Sequence, residues 1–142
     1  MSTTPITIER TFNAPVDLIW QAITDKERMK EWYFDLKEFI PKIGFEFRFF
    51  GGPQDGVQYE HVCVVTQVVQ HQKLTYSWRY EGFTGISYVT FDLFPDGDKT
   101  RAKLTHAGLE TFPADNPDFA KENFVKGWSH IIGTSLKDFI EM

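Results

Sequence analysis

The sequence predicts an α+β domain, a curved antiparallel sheet wrapped on a long C-terminal helix. Three observations lead there. Between Phe124 and Met142, the residues Phe124, Trp128, Ile131, Ser135, Leu136 and Phe139 recur at three- and four-residue spacings against Lys126, Lys137, Asp138 and Glu141, the stripe of one amphipathic helix. Much of the chain before it alternates apolar with polar residues, the period of strands covered on one face. The chain is also rich in rings, with 14 Phe, 5 Tyr and 4 Trp. Such rings bury roughly 150 to 250 Å² each and favour edge-to-face contacts, so a face crowded with them can leave gaps. The 142 residues fit one domain, 1–142, of a size that buries about 68 to 70% of its unfolded surface.

Ile6, Ile8, Arg10 and Phe12 alternate with Thr7, Glu9 and Thr11, a first strand that ends at Asn13-Ala14-Pro15. Pro15 suits the first position of a helix, Asp17 favours the dipole of its first turn, and Val16, Ile19, Trp20 and Ile23 form its stripe. Thr24 and Glu27 have the spacing of a capping box, and Met29, Trp32 and Tyr33 form a second short stripe, so two short helices follow the strand. Leu36 to Ile40 is a further strand candidate, ended by Pro41 and Gly44. Phe45, Phe47 and Phe49 alternate with Glu46 and Arg48 before the turn-rich Gly51-Gly52-Pro53-Gln54-Asp55-Gly56. Residues 59 to 70 carry Val on both parities and leave the buried face open.

Leu74, Tyr76, Trp78 and Tyr80 then alternate with Thr75, Ser77 and Arg79, Val89, Phe91 and Leu93 with Thr90 and Asp92, and Ala102 and Leu104 with Arg101 and Lys103. Asp96-Gly97 marks a hairpin between the last two. Consecutive strands with short turns imply antiparallel pairing. Pro113 to Pro117 reads as a linker, and Asn116 with Pro117 caps and begins a helix that reaches the C-terminus. Gly127 and Gly133 inside that helix cost roughly 1 kcal/mol each relative to Ala; either the helix breaks there or its backbone approaches the sheet closely.

A net charge of −5, with no block of Lys or Arg, argues against nucleic acid or an anionic membrane as partner. Cys63 lies in a Val-rich run and reads as a small buried hydrophobe. The start of the chain has neither a basic region nor an apolar stretch, and no apolar run is long enough for a membrane span, so a cytoplasmic location is expected. His61, His71 and His130 have no metal-like spacing with Cys63 or the carboxylates, and neither a nucleophile elbow nor a phosphate loop is present. No metal, cofactor or catalytic motif is therefore expected.

Several short segments, taken in order, match a known family. Phe12 to Trp20, Thr24-Asp25, Leu74 to Trp78, Thr100 to Gly108, Gly127-Trp128 and Ser135 to Lys137 together resemble the activator of Hsp90 ATPase homologue 1-like family, within the START or Bet v 1-like (SRPBCC) superfamily. The resemblance covers nearly the whole chain. It implies a helix-grip fold, in which a curved antiparallel sheet wraps a long C-terminal helix and two short helices close one end. It also implies a cavity between sheet and helix for apolar or amphipathic small molecules. Members named for Hsp90 stimulation carry a separate domain that engages the chaperone.

If Thr75, Ser77, Arg79, Arg101 and Lys103 face water, the opposite parity faces the helix. The candidate ligand-binding residues are then Phe47, Phe49, Tyr76, Trp78, Tyr80, Val89, Phe91, Leu104 and His106, with Phe45 beside them and Trp128 and Ile131 from the helix. Core packing alone is the plainer reading of any single one. Tyr76, Trp78, Tyr80 and His106 bring polar atoms that need partners on an apolar face, the pattern that orients a ligand. His106 stands where the family pattern has a histidine, as a ligand contact, a general base or a satisfied structural group. Asp55, Asp96, Asp98 and the acidic residues from Asp115 to Asp118 read as solvated turn and cap residues. The leading expectation is a non-catalytic binding domain for a small hydrophobic or amphipathic molecule, as a monomer or homodimer. The alternatives are a module regulating a chaperone ATPase, which the resemblance alone implies, and a cyclase or dehydratase on a polyketide-like substrate.

Overall fold

The computed structural model describes residues 4–33, 36, 38–52 and 56–141. The period-two segments form six strands, β1 (Ile6–Phe12), β2 (Glu46–Gly51), β3 (Tyr59–Val69), β4 (Lys73–Tyr80), β5 (Ser87–Asp96) and β6 (Lys99–Ala107). They make one antiparallel sheet in the order β1-β6-β5-β4-β3-β2. From β2 to β6 each strand pairs with its successor, as short connections require. Only β1 leaves that order, because α1 (Val16–Thr24) and α2 (Lys26–Trp32) carry the chain from it to the opposite edge. The register places Ile6, His106, Val89, Tyr76 and Val65 in one row across five strands, all buried. This inner face packs against the C-terminal helix and, with α1 and α2, encloses the core. The Tyr33 and Tyr76 hydroxyls, 2.8 Å apart, join the end of α2 to the middle of β4.

Three local expectations are corrected and one open face is settled. Asp25, not Thr24, caps α2, its carboxylate accepting from the Glu27 N–H at 3.0 Å; Thr24 is the last residue of α1 and its hydroxyl donates to the Trp20 carbonyl at 2.6 Å. Leu36 and the described residues 38–40 form no strand, although Leu36 and Phe39 are buried. Ser77 does not face water. Its hydroxyl takes the Val64 N–H at 3.1 Å and returns a bond to the Val64 carbonyl, which satisfies a polar group under cover. The face of 59–69 is settled by a bulge between Val65 and Gln67: Tyr59, His61, Cys63 and Val65 point inward before it, and the parity slips after it. The expected turn residues Pro53, Gln54 and Asp55, and the expected helix end Met142, lie outside the described residues.

The helix expected from Pro117 is interrupted. Asn116 does cap a turn, accepting from the Asp118 N–H, but that turn is a single 3-10 segment, Pro117–Phe119, after which Ala120 is extended. Three contiguous pieces follow: α3 (Lys121–His130), a π-helical segment (Ile131–Leu136) and α4 (Lys137–Ile140). The π segment corrects the stripe. Four residues overshoot a 3.6-residue turn, and the wider i→i+5 winding removes the overshoot, so that Phe124, Trp128, Ile132 and Leu136 all face the core. Ile132 therefore takes the core place expected of Ile131, which is only half-buried.

Neither glycine's backbone is pressed against the backbone of the sheet. A Cβ at Gly127 would find nothing within 4 Å, and one at Gly133 would meet only the Arg10 guanidinium at 3.5 Å, an ordinary contact. Gly127→Ala is thus expected to stabilise the fold by about 0.5 to 1 kcal/mol, visible as a higher urea midpoint with an unchanged slope.

Candidate functional site

Packing leaves one end of the inner face unfilled. A cavity of about 470 Å³ lies between β2 to β4 and the first turns of α3. Alternation on β3 and β4 brings Tyr59, His61, Trp78 and Tyr80 to its wall. Helical spacing brings Phe124, Gly127, Trp128 and Ile131 to the facing wall, at positions i, i+3, i+4 and i+7. Gly51, Gly52, Asp118, Phe119 and Asn123 complete the lining. Glycine at 52 is a steric requirement: a Cβ there would stand 2.2 Å from the Val57 carbonyl oxygen, so the chain on either side of this rim lies backbone against backbone.

The walls are held by rings. His61 stacks on Phe49 with centroids 4.5 Å apart and meets Trp78 and Tyr80 edge-on at 4.9 and 4.8 Å. Phe119 stacks on Tyr80 at 4.6 Å and leans on Tyr59 at 5.0 Å, which fixes the 3-10 segment against the sheet. Tyr59 donates to Asp118 at 2.6 Å and accepts from Asn116 at 3.4 Å, so a phenol of β3 ties down the same segment. The Trp78 indole donates to the Tyr80 hydroxyl at 2.9 Å. Burial lowers the His61 pKa to about 4, against hydrogen bonds to the Tyr59 and Phe49 backbone that act the other way. Burial pushes the Tyr80 phenol well up. At neutral pH the His61 ring and the Tyr80 phenol are therefore uncharged, and among the described lining residues Asp118 is the one carboxylate.

Of the expected ligand-binding residues, the fold brings Trp78, Tyr80, Trp128 and Ile131 to the cavity. It does not bring Phe47, Phe49, Tyr76, Val89, Phe91 and Leu104 there; they are packed core, and Phe45 lies against that core half-buried. The cavity also includes residues the sequence did not mark. His61 and Tyr59 were hidden by valines on both parities of β3, whereas Asp118 and Phe119 lie in the segment read as a helix start. The pairing of Asn116 with Pro117 signalled the turn, and only the tertiary fold places it over β3.

A family model for activator of Hsp90 ATPase homolog 1-like protein matches residues 13–141. The chain belongs to this family. Among proteins of curated function none matches it. Among solved structures, CalU16 from Micromonospora echinospora shares 27% identity at a TM-score of 0.74, with 96% of this chain and 75% of that chain covered. DynU16, from the dynemicin biosynthetic locus, shares 21% identity at a TM-score of 0.79, with 99% of this chain covered; the chain spans about half of DynU16, 48% of its length. CV1439 from Chromobacterium violaceum shares 18% identity at a TM-score of 0.81 over 99% of both chains. The last two likenesses show the fold alone. No described helix is long and apolar enough to cross a membrane.

In this activator of Hsp90 ATPase homolog 1-like domain His106 is a fully used structural group. The Trp128 indole donates to His106 Nδ1 at 2.9 Å, which makes Nδ1 the unprotonated nitrogen. His106 Nε2–H then donates to the Ser87 hydroxyl at 2.7 Å, and that hydroxyl donates to the Trp78 carbonyl at 3.1 Å. A directed chain of three hydrogen bonds thus runs from the helix through β6 and β5 to β4. Burial lowers the His106 pKa to about 3. Both His106 nitrogens are engaged, the residue is buried and it is not among the lining residues; its hydrogen bonds fasten the helix to the sheet.

Proposed function

We propose that the domain binds a small apolar or amphipathic molecule in the cavity between the β2 to β4 end of the sheet and the C-terminal helix. One observation carries this reading: a cavity of about 470 Å³ opens between the sheet and the C-terminal helix, and it is walled mostly by rings. Ligand pockets run from about 300 to 1,000 Å³ and join apolar walls to a few placed polar groups. Tyr80, His61 and Asp118 are those groups here.

Native mass spectrometry of the purified protein, challenged with lipids and hydrophobic metabolites, tests the reading. A bound species of one defined mass is expected, and Gly127→Leu is expected to abolish it. Residue 127 lies on the helix face between Phe124 and Ile131, where a new side chain enters open space. Absence of any retained molecule from the folded wild type would overturn the proposal.

A further inference from the structure

The polar groups of the cavity are Tyr59, His61, Tyr80, Asp118 and Asn123, and among them the Tyr80 phenol has an uncommitted proton. The Tyr80 hydroxyl accepts from the Trp78 indole at 2.9 Å, yet its own proton has no acceptor among the described residues. Tyr59, the second phenol on the wall, already commits its proton to Asp118. Among the described residues no Lys or Arg lines the cavity, and Asp118 supplies the one carboxylate of the lining.

From these placements, and resting on the binding role proposed above, we infer that the cavity takes an uncharged apolar molecule bearing a carbonyl oxygen, which accepts from Tyr80, and that it rejects a carboxylate of the same shape. A phenol proton without an acceptor beside an apolar cavity is satisfied by a ligand acceptor, and a ligand carbonyl leaving water needs a donor. The Trp78 N–H, donating onto the Tyr80 oxygen, polarises the O–H and strengthens its donation. An anion meets the opposite conditions. It would lose its hydration with no cation among the described lining residues to replace it and with Asp118 beside it. Burial that raises the Tyr80 pKa keeps the phenol protonated, so it serves as a donor throughout the neutral range.

Three naphthalenes substituted at one ring carbon separate the terms: acetylnaphthalene, ethylnaphthalene and naphthoate, titrated at pH 7 while the Trp78 and Trp128 indole N–H resonances are followed by NMR. The ketone is expected to bind about tenfold more tightly than the hydrocarbon, the upper end for one neutral hydrogen bond. Naphthoate is expected to be weaker than both. Tyr80→Phe is expected to reduce the ketone to the affinity of the hydrocarbon and to leave the hydrocarbon unchanged. Should that variant unfold because the Trp78 N–H loses its acceptor, the double variant Trp78→Phe, Tyr80→Phe removes donor and acceptor together and carries the same expectation. A wild-type preference for the hydrocarbon, a naphthoate affinity equal to that of the ketone, or a ketone preference that survives Tyr80→Phe would overturn the inference while leaving the cavity as a binding site. Failure of all three compounds to bind would remove the binding reading and the inference together.

Discussion

Trp128→Ala is expected to lower the free energy of unfolding by about 3 to 5 kcal/mol, the range for deleting a buried tryptophan side chain. Trp128 is 2% exposed. Its ring reaches three strands at once, with centroids 5.7 Å from Trp78 on β4, 6.3 Å from Phe91 on β5 and 5.9 Å from His106 on β6, and it also stacks on Tyr33 beyond α2 at 6.1 Å. Truncation removes this packing and leaves His106 Nδ1 buried without its donor, a further cost of about 1 to 3 kcal/mol for an unsatisfied polar atom. Against a usual total of roughly 5 to 15 kcal/mol, the variant is marginal at best. Trp128→Phe separates the two terms, since it keeps a ring in place and removes only the N–H. Urea unfolding of both variants measures them. A loss below about 1 kcal/mol for Trp128→Ala would contradict the anchoring role, because cavity formation alone costs more than that.

The part of the fold legible in the sequence is the part governed by period. β1, β4, β5 and β6 carry apolar residues at every second position on their covered face, and the register then aligns Ile8, Leu104, Phe91 and Leu74 across four strands. Where the period is broken by a feature with no local signature, the reading stops. The bulge between Val65 and Gln67 changes parity inside a run of valines, and nothing in that run says which parity holds on which side. The π segment likewise exchanges Ile131 for Ile132, a substitution of one isoleucine for the next that a 3.6-residue template cannot see.

The candidate site was half legible for the same reason. Trp78, Tyr80 and Trp128 lie on periodic faces, and their inward aim follows from β4 and α3 alone. Whether an inward ring packs against protein or borders a void depends on what stands opposite, which is a property of the assembled fold. Phe47 and Phe49 are as aromatic as Tyr80 and equally inward, yet Phe39 and Tyr76 cover the first, and His61 and Trp78 the second. Asp118 reaches the cavity only because Ala120 is extended and the 3-10 segment folds back over β3, where Tyr59 holds it. The resemblance singled out His106, and its chemistry proved to be that of a fastener between helix and sheet.

Mild acid is expected to destabilise the domain through two buried histidines. His106 and His61 have folded pKa values lowered by burial to about 3 and about 4, below the 6.5 of a free histidine. The unfolded chain therefore binds more protons than the folded one at every pH between 6.5 and these values, and stability falls as pH falls. The stabilisation is fully present above pH 6.5 and is lost progressively toward pH 4, each histidine contributing a slope of up to about 1.4 kcal/mol per pH unit. Over the interval from pH 6.5 to 5, where Asp and Glu remain ionised in the unfolded chain, the two together are expected to remove about 3 kcal/mol. The physical reason differs between them. A proton on His106 must go to Nδ1, where it would face the Trp128 N–H, so the charged form breaks the bond that joins helix to sheet. A proton on His61 instead places a charge among the rings of the cavity wall, where burial disfavours it. Urea unfolding at intervals of half a pH unit should show two protons taken up on unfolding near pH 5, and His61→Phe should reduce that to one while leaving the His106 term in place. A stability flat from pH 7 to 5 would mean that His106 carries a charge in the folded protein, and the hydrogen bond from the Trp128 indole to His106 Nδ1 would then be absent, since an indole N–H cannot accept.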